Sequence, residues 1–163
     1  MSEASKVLSV IENGNVSDFK KFEMIEHYSD KVESVEDILQ LMELFPKLPN
    51  PILRHEISAQ LLRLEQKKSE LTSKIRDEIE DFLIEVSSTD ESIVSKHEAL
   101  ESLSYLGTEK SLNFLKNALH IETNLDIVKT IEISIGVLEY KLDNKIKSGD
   151  LYEEIYNEAI NNA

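Results

Sequence analysis

The chain contains no cysteine, which excludes disulfide bonds and thiolate metal ligands. This absence suits a cytoplasmic protein, and the first residues lack the apolar core of a signal peptide. Glycine and proline are also scarce, with four and three residues among 163. Short all-β architectures need far more turn residues, so the composition argues against them. Since no run of about 18 apolar residues occurs, a membrane is not an expected partner.

Basic residues are also few compared with acidic residues. The chain has 18 Lys and Arg against 32 Asp and Glu, a formal net charge of −14. A field of that sign repels phosphate backbones, so nucleic acid is not an expected partner either. It favours basic proteins or metal cations, although acidity also serves simply to keep a small protein in solution.

What the chain does have is apolar residues at helical spacing along almost its whole length. Leu, Glu and Lys are abundant, and their unbranched side chains lose little rotamer freedom in a helix. The pattern predicts an all-α protein that forms one domain over residues 1–163. A C-terminal helix is expected within 151–163, after the polar stretch 143–150.

Capping residues predict where several helices begin and end. Ser34 and Asp37 form a capping-box pattern, and Asn50 followed by Pro51 is a favoured helix start. Gly107 stands where a glycine in the left-handed conformation is expected to end a helix.

Three nine-residue segments align with one another: 53–61, 95–103 and 128–136. Each opens the second helix of a predicted pair and has a basic residue at its second place. The intervals between them are 42 and 33 residues, and the excess in the first falls in the charged stretch 65–74. Stacked helix pairs bury a continuous core that one pair cannot form, so the repeat predicts a short α-solenoid.

The segment 92–119 resembles the HEAT-like repeat of the phycobilisome-lyase type. In that family a helix begins with an apolar-basic-x-Glu-Ala pattern and ends in Leu-Gly. Residues 96–99, Lys-His-Glu-Ala, and 106–107, Leu-Gly, carry the match. The resemblance extends with decreasing closeness to 51–64 and 126–142. It implies HEAT-like stacked helix pairs.

Two of the four histidines fall at equivalent repeat positions, and each is followed by glutamate: His55-Glu56 and His97-Glu98. Imidazole and carboxylate together are ligands for Fe, Mn or Zn. In the first turns of two helices that pack about 8–10 Å apart, the dyads can lean toward one groove. The sequence therefore predicts a metal site formed by these four residues.

The two dyads resemble those of deoxyhypusine hydroxylase, a HEAT-repeat enzyme with a di-iron centre. That family has two similar halves, each of which contributes two His-Glu dyads. This chain has the size of one half, so the resemblance implies a homodimer whose two-fold symmetry assembles four dyads. It further implies that His55 and His97 supply nitrogen ligands and that Glu56 and Glu98 supply carboxylates. The implied activity is oxygenation of a substrate, which in the family is a modified lysine of a translation factor.

A second interpretation remains open: a metal-free helical-repeat adaptor that holds a protein or peptide in a concave groove. A histidine near a helix start often forms only local hydrogen bonds. His27 and His120 lack the repeat position and are expected at the surface. Glu78, Glu80 and Asp81 are expected on a solvated helix face.

Overall fold

The structure, a computed structural model, describes residues 1–162. Over this range the chain forms nine α-helices and no strand, which confirms the all-α prediction. The helices are α1 (Glu3–Asn13), α2 (Asp18–Glu26), α3 (Val35–Leu44), α4 (Pro51–Thr72), α5 (Arg76–Thr89), α6 (Ile93–Leu106), α7 (Glu109–Ile121), α8 (Leu125–Asp143) and α9 (Leu151–Asn161). Short 3₁₀ turns lie at 28–30, 45–47, 73–75 and 148–150. None of the helices described here is long and apolar enough to cross a membrane.

Side-chain caps explain where most of these helices begin. At the start of seven of them a Ser, Thr or Asn oxygen accepts a backbone N–H that has no partner within the helix. The capping box of Ser34 and Asp37 is confirmed, as is the start at Asn50 and Pro51. Helix α9 occupies Leu151–Asn161 of the segment 151–163, whose last residue lies outside the described range.

The prediction of a left-handed Gly107 is wrong. Its φ of −67° and ψ of 165° are extended backbone values, which any residue can adopt. Glycine is needed there because of close packing at the α6–α7 corner. A Cβ at this position would lie 2.5 Å from the carbonyl oxygen of Leu103 and 2.6 Å from Cβ of Ser111.

The charged stretch 65–74 lengthens a helix instead of forming a loop. Helix α4 continues through it to Thr72, with a kink at Lys68, where φ is −141° and ψ is 45°. Past the kink, Thr72 and Arg76 both donate to the carboxylate of Glu65, which is buried. This long helix accounts for the extra residues between the first two aligned segments.

Alternate helices pack on one another in chain order, α2 on α4, α4 on α6 and α6 on α8. The helices between them lie alongside, with α3 against α4, α5 against α6 and α7 against α8. One apolar cluster runs from α1 to α6, and a second joins α6, α7 and α8. Phe114 packs against both clusters. This packing places α4 and α6 side by side.

Candidate metal centre

The two predicted dyads lie at matching places on adjacent helices. His55 is the fifth residue of α4 and His97 the fifth residue of α6, counted from their first residues, Pro51 and Ile93. Because α4 packs directly on α6, the dyads are neighbours in space.

His55 contacts the carboxylate of the other dyad more closely than that of its own. Its Nε2 lies 3.1 Å from Glu98 Oε2, whereas its Nδ1 lies 4.0 Å from Glu56 Oε2. The hydrogen bond with Glu98 raises the pKa of His55, and this effect outweighs the opposing effect of burial. Only 13% of the Glu98 side chain is exposed, so the pair is partly shielded from solvent.

Glu56 is buried, with 3% of the residue exposed, although the sequence places it toward a groove. Its Oε1 accepts hydrogen bonds from Arg63 Nη1 at 2.6 Å and from Gln60 Nε2 at 3.0 Å. These donors compensate the buried negative charge. The other oxygen, Oε2, faces His55.

His97 is held by a residue of α8. Its Nδ1 lies 2.8 Å from Thr130 Oγ1, and Thr130 occupies the aligned position 33 residues further along. The Thr130 hydroxyl donates to the carbonyl of Asp126, so its oxygen accepts from the Nδ1–H of His97. In the neutral ring this leaves the Nε2 lone pair free. That atom lies 3.5 Å from Oε2 of Glu101.

The structure thus brings His55 and Glu98 together and gives Glu56 and His97 separate partners. Within residues 1–162, the one set of three potential ligand atoms mutually within 4.8 Å comes from Glu23 and Glu26 of α2 and from His27, which directly follows that helix. Those side chains are spaced along a single helix face, and Glu23 and His27 are exposed.

Two residues beside the dyads were not among the sequence-predicted ligands. Thr130 holds the His97 ring, and its place in the third aligned segment was the signal that could have identified it. Glu101 approaches His97 and also raises the pKa of His55 through its charge. Its position four residues after His97 on one helix is the corresponding signal.

The prediction that Glu80 lies on a solvated helix face is wrong. Glu80 is 2% exposed and accepts hydrogen bonds from the backbone N–H groups of Thr108 and Ser111 and from both hydroxyls. Burial raises the pKa of Glu80, but the hydrogen bonds have the larger combined effect in the opposite direction. The pKa of Glu80 is therefore lowered. The carboxylate caps the first turn of α7 and has no connection with the dyads.

A cavity of about 220 Å³ opens beside His97, between α6 and α8. Tyr105, Ile133 and Val137 give it an apolar wall, and Glu101 contributes a carboxylate. A substrate side chain or a partner residue bound there would lie next to the His97 imidazole.

Comparisons with protein-family models, with curated proteins and with solved structures found no match. The resemblance to deoxyhypusine hydroxylase therefore stays a prediction carried by the two dyads and the repeat segments around them.

Proposed function

We propose that this chain is a metal-binding protein built as a short HEAT-like α-solenoid, with an iron centre at its two His-Glu dyads. In this proposal two copies form a homodimer with a di-iron centre and act as an oxygenase similar to deoxyhypusine hydroxylase. The observation that carries it is the 3.1 Å contact between His55 and Glu98, which joins the dyads of two repeats.

The donor atoms suit iron in their chemistry. Two imidazoles and two carboxylates form the mixed nitrogen and oxygen set that non-haem iron prefers. When bound, iron would supply the activation of dioxygen that hydroxylation of an unactivated carbon requires. The contact of Nδ1 with Thr130 supports His97 as a ligand, because it fixes the ring so that Nε2 would be the atom that binds the metal. Metal-binding histidines commonly donate their other N–H in this way.

Glu56 can join the set without giving up its buried partners. Arg63 and Gln60 hold Oε1, whereas Oε2 is the oxygen nearer to His55. Ligation through Oε2 would keep the Arg63 ion pair and so avoid leaving a guanidinium without its partner. In this interpretation Arg63 orients Glu56 through the carboxylate oxygen that does not bind the metal.

The four residues of one chain are too few for a di-iron centre that also has positions open to substrate. A two-fold homodimer would present the same four residues twice and complete the centre. The cavity between α6 and α8 opens beside His97, so it is the natural place for the substrate side chain.

The alternative is a metal-free HEAT-like adaptor for a protein or peptide. Its support is that the hydrogen bonds of Glu56 and His97 satisfy these polar groups without an ion. In that case the polar contacts between α4, α6 and α8 hold successive repeats in register, and the cavity accepts a partner residue.

Metal analysis of protein purified without a polyhistidine tag separates the two proposals. The protein should be stripped with a chelator, reloaded anaerobically with Fe(II), desalted and analysed for iron and protein. Two irons per dimer, with a Mössbauer signal of coupled high-spin iron after oxidation, would support the di-iron centre. A stripped protein that takes up neither iron, manganese nor zinc would leave the adaptor as the function.

A further inference from the structure

Large exposed apolar side chains line one edge of the molecule. Helices α2, α4, α6 and α8 each carry at least one in the first turn, with exposed fractions between 43% and 74%. These residues are Phe19, Ile52, Ile93, Val94 and Leu125. An exposed apolar residue in the first turn of each of four helices that pack in sequence forms a row, which scattered surface residues do not.

Contacts between neighbouring helix starts show that the first turns of α2, α4 and α6 lie side by side, and the 2.8 Å contact of His97 with Thr130 brings the start of α8 beside that of α6. Asn50 Nδ2 donates to Asp18 Oδ2 at 2.8 Å, which joins the starts of α4 and α2. Arg54 donates to both carboxylate oxygens of Asp90, at 2.8 and 3.0 Å, which joins the start of α4 to the turn before α6. We name this surface, residues 17–21, 50–55, 90–97 and 122–129, the N-terminal edge.

The N-terminal edge is electrically neutral in a strongly acidic protein. Its four segments contain five basic and five acidic residues, so the whole net charge of −14 lies elsewhere. Glu56 and Glu98 directly follow two of these segments, so two copies that meet here bring four dyad carboxylates near one another, and iron bound at the dyads would offset their charge.

A second exposed apolar stripe lacks this property. Tyr152, Tyr156 and Ile160 follow one another at intervals of four along α9, each more than half exposed. Helix α9 contains three glutamates and no basic residue. Pairing of α9 with a second α9 would bring six carboxylates together, so this stripe is a poor surface for self-association.

The N-terminal edge is continuous with the dyads. Ile52 and Val94 precede His55 and His97 by three residues, so each apolar side chain lies about one turn, roughly 4.5 Å along the axis, before a histidine on the same helix face. Half of the His97 side chain is exposed. A molecule that covers the edge would therefore reach the candidate metal centre.

We infer that a second copy of this chain docks on the N-terminal edge, related by a two-fold axis. This inference rests on the proposed function, in which one chain supplies only half of the metal ligands. Such docking buries Ile52 and Val94 of both copies in one interface and places the two sets of dyads opposite one another. The interface is isologous, which means that the same apolar residues of both copies are buried in it.

Light scattering on metal-stripped and iron-loaded protein tests this docking, because it measures mass independently of metal content. The native chain should give twice the monomer mass of 18.6 kDa. The double variant Ile52→Glu, Val94→Glu should be monomeric, because it places four carboxylates in the interface. The matched control, Ile160→Glu on α9, should stay dimeric. Circular dichroism should show unchanged helicity, since all three residues are exposed.

Cross-linking provides a test that does not depend on disrupting the interface. Because the chain has no cysteine, a single introduced thiol can be linked only to its copy in another molecule. Val94→Cys treated with a short bis-maleimide should give covalent dimer in high yield, and Ile160→Cys should give little. A monomeric native chain, or a dimer unaffected by the double variant, would overturn the docking and leave iron binding to be judged separately. A dimer that takes up no metal would instead overturn the proposed centre.

Discussion

The imidazole of His55 on α4 lies 3.1 Å from Glu98 on α6 and is further from Glu56, its neighbour in sequence. The two dyads are thus joined across the α4–α6 interface. Within each dyad, successive helix residues point about 100° apart, so a histidine cannot easily pair with the glutamate that follows it. Glu98, on the adjacent helix α6, is better placed.

Glu98→Gln should lower the pKa of His55 in metal-free protein. The carboxylate stabilises the imidazolium, so its loss leaves burial as the larger influence, and burial favours the neutral ring. Titration of the His55 ring protons by NMR measures the change. Glu101→Gln is the matched control and should have a smaller effect, because Glu101 acts on His55 through its charge without a hydrogen bond. An unchanged His55 pKa in Glu98→Gln would show that the pair does not form in solution.

Removal of a dyad histidine should abolish or sharply reduce iron binding. His55→Ala and His97→Ala each delete a proposed ligand, and Glu56→Gln and Glu98→Gln should weaken binding in the same direction. Iron content after reconstitution measures this effect. His27→Ala and His120→Ala are the controls and should retain the native iron content. If both His55→Ala and His97→Ala bound iron fully, the dyads could not be its ligands.

Thr130→Val should weaken iron binding by about 10- to 100-fold, although Thr130 is not a proposed ligand. Valine keeps the shape of threonine but cannot accept the Nδ1–H of His97, so the ring is no longer fixed with Nε2 free. Thr130→Ser keeps the hydroxyl and should retain most of the affinity. Competition with a chromophoric chelator measures the affinities. Equal affinity in the native protein and Thr130→Val would assign Thr130 a role in packing alone.

The helices and several of their starts could be predicted from the sequence, because apolar spacing and capping residues act locally. Ser34, Asn50 and Asn124 each cap a helix within three residues of their own position. The length of α4 could not be predicted in this way. Its last turns are held by contacts of Glu65 with Thr72 and Arg76 beyond a kink, and such contacts leave no periodic pattern.

For the candidate site, the aligned segments identified which residues occupy equivalent positions in their helices, but not which residues each of them contacts. The alignment placed His55, His97 and Thr130 in one register, and the structure connects His97 directly to Thr130. Arg63 is seven residues from Glu56, and its ion pair depends on the side-chain conformations at the surface of α4. Burial of Glu80 follows from the approach of α7, a tertiary contact that helix periodicity cannot reveal.

Lys141 should make stability rise between about pH 8 and pH 10.5. Burial lowers the pKa of this amine to about 8, with a further contribution from Arg76, while the unfolded chain keeps the ordinary value. Between the two values the unfolded state holds a proton that the folded state has lost, so a rise in pH favours folding. The gain is on the order of 3 kcal/mol over this window.

Urea unfolding of the native protein and of Lys141→Met across this pH range isolates the contribution of Lys141. The difference between their free energies of unfolding should move in favour of the native protein as pH increases. The neutral amine can still donate to the carbonyls of Tyr105 and Gly107, so its hydrogen bonds persist above the folded pKa. A difference that did not change with pH would mean that Lys141 is solvated in the folded protein.

Alanine substitutions at Gly107 and Gly136 should change stability in opposite directions. At Gly107 a Cβ would lie 2.5 Å from the carbonyl oxygen of Leu103, so the α6–α7 corner must shift, at a cost of about 1–3 kcal/mol. Gly136 lies within α8, and a Cβ there meets nothing within 4 Å. Gly136→Ala should therefore add roughly 1 kcal/mol, the usual helix-propensity difference between the two residues. Urea unfolding of both variants under one set of conditions measures the contrast, and a stabilising Gly107→Ala would contradict the close approach of α6 to α7.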